Sequence, residues 1–170
     1  MKAYETFRLF SNDEIDTLVL LACEDEEIPD KIAGAVLTYR RIPLKRLQKL
    51  PEEARKAYVR RTLRDRQAAD LSLFVLSAAL LRGKAKLIAA FLEALGLPHD
   101  GPNLTTEGEV SEPAAKKLKA AVDGLLKEFP ARDVAIYLHA FAAQPDVGWP
   151  ALEERLRTDP KLAIEDQSAG

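Results

Sequence analysis

Leu71–Leu81 reads LSLFVLSAALL and, after Arg82-Gly83-Lys84, residues 86–97 read KLIAAFLEALGL. The first segment carries no charge, glycine or proline. Two consecutive segments this apolar, in a chain with no membrane-length run, must sit inside a multi-helix body. They predict helices over about 70–81 and 84–95, the first apolar nearly all round and so placed at the centre of the core. Ser72 and Ser77 can return their hydroxyls to backbone carbonyls, so they do not argue against burial. Gly96 suits the left-handed residue that closes a helix, with Pro98 just beyond.

Upstream, Ser11 or Asn12 can cap a helix through EIDTLVLLACED, where Ile15, Leu18, Val19 and Ala22 share one face. A helix follows from about Pro29 to Arg41, striped by Ile32, Ala35, Val36 and Tyr39 and limited by Pro43. Residues 43–50 read as a short helical turn. Pro51-Glu52-Glu53 opens a helix to about Asp65, with the two acids at the positive end of the dipole. On its wheel Ala54, Tyr58, Val59 and Leu63 lie on one side, and Lys56, Arg60, Arg61 and Arg64 on the opposite arc. Residues 3–10 (AYETFRLF) are short and mixed, and read as coil or a frayed turn.

Downstream, residues 98–113 (PHDGPNLTTEGEVSEP) form one long loop. Loops of this length are usually functional or mobile. Ser111 and Pro113 then open a helix to Phe129, Ala131–Ala143 is another, and Trp149-Pro150 starts a last short one ending before Asp159-Pro160. The expected fold is all-α: one domain over 1–160, an irregular bundle of about seven or eight helices with solenoid-like helix pairs, and a loose tail over 161–170. The expected core is Leu18, Ile32, Val36, Leu71, Phe74, Val75, Leu81, Ile88, Phe91, Leu92, Leu118, Val122, Val134, Leu138 and Phe141. Residues 80–101 can be laid on 125–148 with small gaps, matching Phe91 to Tyr137. Any two amphipathic helices followed by a proline loop would look alike, and two copies fall short of the roughly three that a solenoid needs.

With 47% apolar and 31% charged residues the composition is that of a globular protein, and with only 6% aromatic it favours helices over strands. The single Cys23 cannot form an intrachain disulfide and fits a reducing cytoplasm, where it reads as a small hydrophobe on an apolar face. No signal-like start and no apolar run of the roughly 18 residues a membrane span needs is visible, so no membrane partner is expected.

The net charge of -2 hides a strong segregation. Residues 1–30 hold nine acids, including Asp13, Glu14, Asp16 and Glu24–Glu27, against Lys2 and Arg8. Residues 40–66 hold eleven bases against Glu52, Glu53 and Asp65. Arg40, Arg41, Lys56, Arg60, Arg61 and Arg64 are therefore the candidate binding residues. Such a face can neutralise phosphates along a nucleic acid. Against that, the pI of about 5.8 is low and only Tyr39 and Tyr58 are at hand for base stacking. It can equally pair with the acidic first helix of the same chain, with another copy, or with a partner protein.

Reaction centres are not legible. There is no glycine-rich phosphate loop, no GxSxG elbow, and no HExxH or ExxH pair. No cofactor or metal ligand set is expected. His99-Asp100 lies in the long loop, where a carboxylate beside an imidazole can tune it, although Asp-Gly-Pro also makes a plain bend. His139 sits at the edge of an apolar stripe, and Trp149 plugs the bundle end or serves as a partner hot spot. His99, Asp100, His139 and Trp149 are the candidate loop site.

FLEALGLPHDG (91–101), VAIYLHAF (134–141) and GWPAL (148–152) together resemble a pattern in uncharacterised bacterial proteins, over roughly residues 74–156. The resemblance implies a bacterial cytosolic helical protein of unknown function and brings no catalytic residues. The leading expectation is a non-catalytic protein–protein interaction or scaffolding protein, with self-association as one form. Nucleic-acid binding through residues 40–66 and an enzyme site near His99 and His139 are the alternatives.

Overall fold

A computed structural model describes residues 1–105 and 108–169 and is all-α. Among the described residues there are ten α-helices: α1 (Ala3–Leu9), α2 (Asn12–Ala22), α3 (Ile28–Arg40), α4 (Leu44–Lys49), α5 (Glu52–Leu63), α6 (Ala69–Gly83), α7 (Ala85–Leu95), α8 (Ala115–Glu128), α9 (Ala131–Ala142) and α10 (Pro150–Thr158). Two 3-10 turns (Arg66–Ala68, Pro160–Leu162) and one two-residue hairpin complete the list. The two helices beyond the expected eight are α1 and α4. The chain divides into two compact units, Met1–Ala79 with the described residues from Asp166 onward, and Leu80–Glu165, the division falling inside α6.

In the first unit, α2 starts where expected: the Ser11 side chain accepts the Glu14 N–H at 3.2 Å. Residues 3–10 are helical rather than coil. Seven residues cannot hold a helix alone. This one is held because Phe7 and Phe10 are fully buried and meet edge to face at 5.7 Å. Arg64 adds to this by donating to the carbonyls of Phe7 (3.1 Å) and Phe10 (2.9 Å) at the end of α1.

The α6 helix departs from the expected all-round burial. It buries the stripe Ser72, Val75, Leu76, Ala79 and Leu80, while Phe74 is 38% and Leu81 37% exposed. Those two are seven residues apart and share the outer face. Lys31 Nζ lies 4.3 Å from the centre of the Phe74 ring, which gives that exposed aromatic a cationic cover. Of the expected core, Leu18, Leu71 and Phe141 are half-buried, and Ile32, Val36, Val75, Ile88, Phe91, Leu92, Leu118, Val122, Val134 and Leu138 are buried. Ser72 Oγ lies 2.8 Å from the Leu63 carbonyl and 2.9 Å from that of Ala68, so its hydroxyl is satisfied inside the core.

In the second unit, α7 ends on Gly96 at φ +65, with the Leu97 N–H returning to the Leu92 carbonyl at 3.0 Å. Phe91 meets Tyr137 at 5.5 Å and Phe141 at 5.4 Å, and Phe141 meets Trp149 at 5.1 Å, all edge to face. The long loop is more ordered than its composition implies. His99–Asp100 pairs antiparallel with Asn103–Leu104 around Gly101 (φ +56), the position at which a two-residue hairpin requires glycine. Its far end is tied by the Val110 N–H to the Asp146 carbonyl at 3.0 Å. The first turn of the helix expected from Ser111 is not helical, and α8 begins at Ala115. The segment read as a loose tail buries Leu162 and Ile164, because apolar side chains punctuate its polar residues.

Candidate anion-binding cleft

The basic residues that cluster in sequence separate in space into paired and unpaired sets. Arg60 is the first departure from the helical wheel. Its side chain is only 10% exposed, because α2 lies against α5 and brings Asp16 to it. Nε and one terminal nitrogen donate to the two Asp16 oxygens at 2.8 and 2.5 Å, a bidentate pair. The other terminal nitrogen donates to Glu53 Oε1 at 2.6 Å. These carboxylates raise the Arg60 guanidinium well above its ordinary value. Lys56 pairs with Glu52 at 2.9 Å, one helical turn away, and lies 4.0 Å from Asp16. Arg40, at the end of α3, pairs with Asp65. The Asp65 carboxyl is held below its usual range by the Gln67 N–H first and by Arg40 second.

Arg61, Arg64 and Arg8 stand apart from this set. Among the described residues no carboxylate pairs with any of the three. Arg64 donates to the carbonyls of Phe7 in α1 and of Phe10 just beyond it, and burial together with the positive charge of Arg60 pushes its guanidinium below its ordinary value. Arg8 lies over the Tyr4 ring at 5.0 Å and donates through Nε to the Arg64 carbonyl at 2.9 Å. Arg61 is exposed. All three line one cavity of about 480 Å³, together with Arg40, Arg60, Asn12 and Asp65. Five arginines therefore line a space in which one carboxylate, Asp65, is a lining residue. Arg41 is not among its lining residues; it ends α3 in the left-handed region at φ 50 and is exposed.

A second cavity of similar size lies against α8 and α10, but its only arginine, Arg155, is neutralised by Asp123 at 2.6 Å and Asp159 at 2.9 Å. Lys119 is its other cationic lining residue, so the first cavity is distinguished by gathering five arginines.

The histidines are used locally. His99 Nδ1 lies 2.9 Å from the Gly101 carbonyl, and Asp100 is exposed in the same hairpin. His139 is buried on α9, with Nε2 3.2 Å from the Leu162 carbonyl. Burial pushes its imidazole below the usual value. No hydrogen bond among the described residues joins His99 or Asp100 to His139, and no group of three or more His, Cys, Asp or Glu side chains among them is placed to hold a metal. Trp149 is 2% exposed, and its indole N–H donates to the Val110 carbonyl at 2.6 Å. It pins the end of the long loop from inside the core. Thr106 and Glu107 of that loop lie outside the described residues.

Sequence reasoning missed Arg8 and Asn12 as lining residues, whereas Asp16 belongs to the acidic helix that it offered as a partner for the basic face. Arg8 is one of two bases in an acidic stretch of thirty residues, and that isolation was the available signal. No helix among the described residues is long and apolar enough to cross a membrane. No protein-family model, curated protein or solved structure matches the chain.

Proposed function

We propose that this protein is a non-catalytic interaction protein that docks an acidic segment of a partner protein in the arginine cleft. One observation carries the reading: Arg8, Arg61 and Arg64, none of them in a salt bridge among the described residues, line one concave site with Arg40 and Arg60, and its one lining carboxylate, Asp65, is already paired to Arg40. Like charges gathered in one concavity repel one another, as Arg60 does half-buried Arg64, a cost that an incoming anion removes. Clusters of this kind serve the recognition of acidic motifs.

Nucleic-acid binding is the second reading, favoured by the eleven bases of residues 40–66. A phosphate backbone is best served by a run of free cations along one face. Arg40, Lys56 and Arg60 are already matched to carboxylates, which breaks such a run. The resemblance over residues 74–156 supports a bacterial cytosolic setting for the chain.

Affinity capture with the full chain tests the reading. Arg61→Glu reverses an exposed cleft charge, and Arg41→Glu reverses an exposed charge outside the cleft. A partner lost with Arg61→Glu and kept with Arg41→Glu is the expected result. Equal loss with both variants would point to the basic face as a whole. Tight, steeply salt-dependent binding of a single-stranded oligonucleotide would favour the second reading.

A further inference from the structure

We propose that the group recognised in the arginine cleft is a phosphomonoester, carried by a phosphorylated side chain of the partner. This rests on the docking reading above and specifies its chemistry. Arg8, Arg61 and Arg64 contribute three positive charges, none in a salt bridge among the described residues, beside a single carboxylate, Asp65, that Arg40 already holds, and a single Asp or Glu of a partner supplies one negative charge. A phosphomonoester supplies about 1.5 to 2 near neutral pH, with three strong acceptor oxygens.

The donors fit such a group. Guanidinium forks match phosphate oxygens two at a time, and a phosphate can accept from several arginines at once where a carboxylate saturates on one or two. Arg64 has one terminal nitrogen outside its two bonds to α1, and the Arg61 side chain makes no hydrogen bond among the described residues. The Asn12 side chain, at the start of α2, adds an uncharged polar group to the lining. The cavity, about 480 Å³, is of the size that takes a compact ligand. Arg40 and Arg60 close its flanks with their charge already paired to Asp65, Asp16 and Glu53. The free charge is thereby focused on one point.

The test is a titration of the full chain, followed through the arginine Nε–Hε signals in nitrogen-edited NMR at constant ionic strength. Three probes are used: N-acetyl-O-phosphoserine amide, N-acetylaspartic acid amide and inorganic phosphate. The expected result is that phosphoserine amide moves the signals of Arg61 and Arg64 and binds about tenfold more tightly than the aspartate probe. Arg61→Ala should weaken it about tenfold, and Arg41→Ala should not change it. Arg61 is exposed, so its variant keeps the fold, as an unchanged urea midpoint will verify.

Equal affinity for the aspartate and phosphoserine probes overturns the phosphate assignment and leaves the acidic-docking reading standing. Inorganic phosphate binding much more tightly than phosphoserine amide overturns the side-chain source in favour of a free anion. If no probe moves a cleft signal, both readings fall. Binding unaffected by Arg61→Ala places the anion elsewhere and overturns the proposal.

Discussion

Arg60 and Arg64 are one helical turn apart, and their surroundings give them different work. Arg60 is enclosed and satisfied by Asp16 and Glu53. Arg64 is satisfied by neutral carbonyls, so its charge at the edge of the cleft has no carboxylate in a salt bridge with it. Asp16→Ala therefore uncovers a buried cation, and we expect a loss of about 2 kcal/mol in urea denaturation. The same change at exposed Asp13 should fall within about 0.5 kcal/mol.

His139 is the second informative residue. With Nε2–H donated to the Leu162 carbonyl, Nδ1 is a buried acceptor without a partner among the described residues. Burial lowers its folded-state value beneath the usual figure of about 6.5, so in the window below about pH 6.5 the unfolded chain binds more protons than the folded one. Stability contributed by the neutral ring is complete above that window and is lost as pH falls through it. Urea midpoints should drop between pH 7.5 and 5.5, and His139→Gln should flatten that drop. An equal drop in the variant would assign the effect to other groups.

At the scale of elements, the helices α2, α3, α5, α7 and α9 were legible because their apolar residues recur at helical spacing between capping and proline signals. The α1 helix was not, since seven residues give less than two full turns and its stability comes from Phe7, Phe10 and a guanidinium 54 or more residues away. Phe7→Ala should cost about 3–5 kcal/mol, a large-to-small change at a fully buried site. If α1 were a frayed end, the cost would be negligible.

Composition misled in the opposite direction at α6. A segment that is uncharged all round does not report which face is covered, and Phe74 and Leu81 lie outside. At α7 the signal was local and therefore readable. Gly96→Ala places a Cβ in the left-handed region and 3.0 Å from the movable Lys117 Nζ. We expect it to cost about 1–2 kcal/mol, set by the backbone and not by the lysine. Calorimetry of the variant with Lys117→Ala in the background separates the two, since a cost that disappears there would belong to the contact.

On the scale of the whole molecule, the near-neutral total of -2 conceals two opposed stretches. Within the first unit the acidic stretch neutralises part of the basic one, through Asp16 with Arg60 and Lys56. The basic cluster was legible because charge is visible residue by residue. Which of its members would be consumed was not, because that depends on α2 packing against α5 and on Arg8 joining from α1. What is left over is the cleft, and its mutual repulsion makes it a site held at the expense of stability.

That claim is tested most directly by the urea midpoints of the wild type and Arg61→Glu, each in sodium chloride and in sodium phosphate at equal ionic strength. In chloride the variant should be at least as stable as the wild type, because a repulsive charge has been reversed. Phosphate strengthens folding of any protein to some degree, so the decisive quantity is the difference between the two chains. The account predicts a larger phosphate-induced rise in the wild type than in Arg61→Glu. Identical rises, with the variant less stable in both salts, would contradict it.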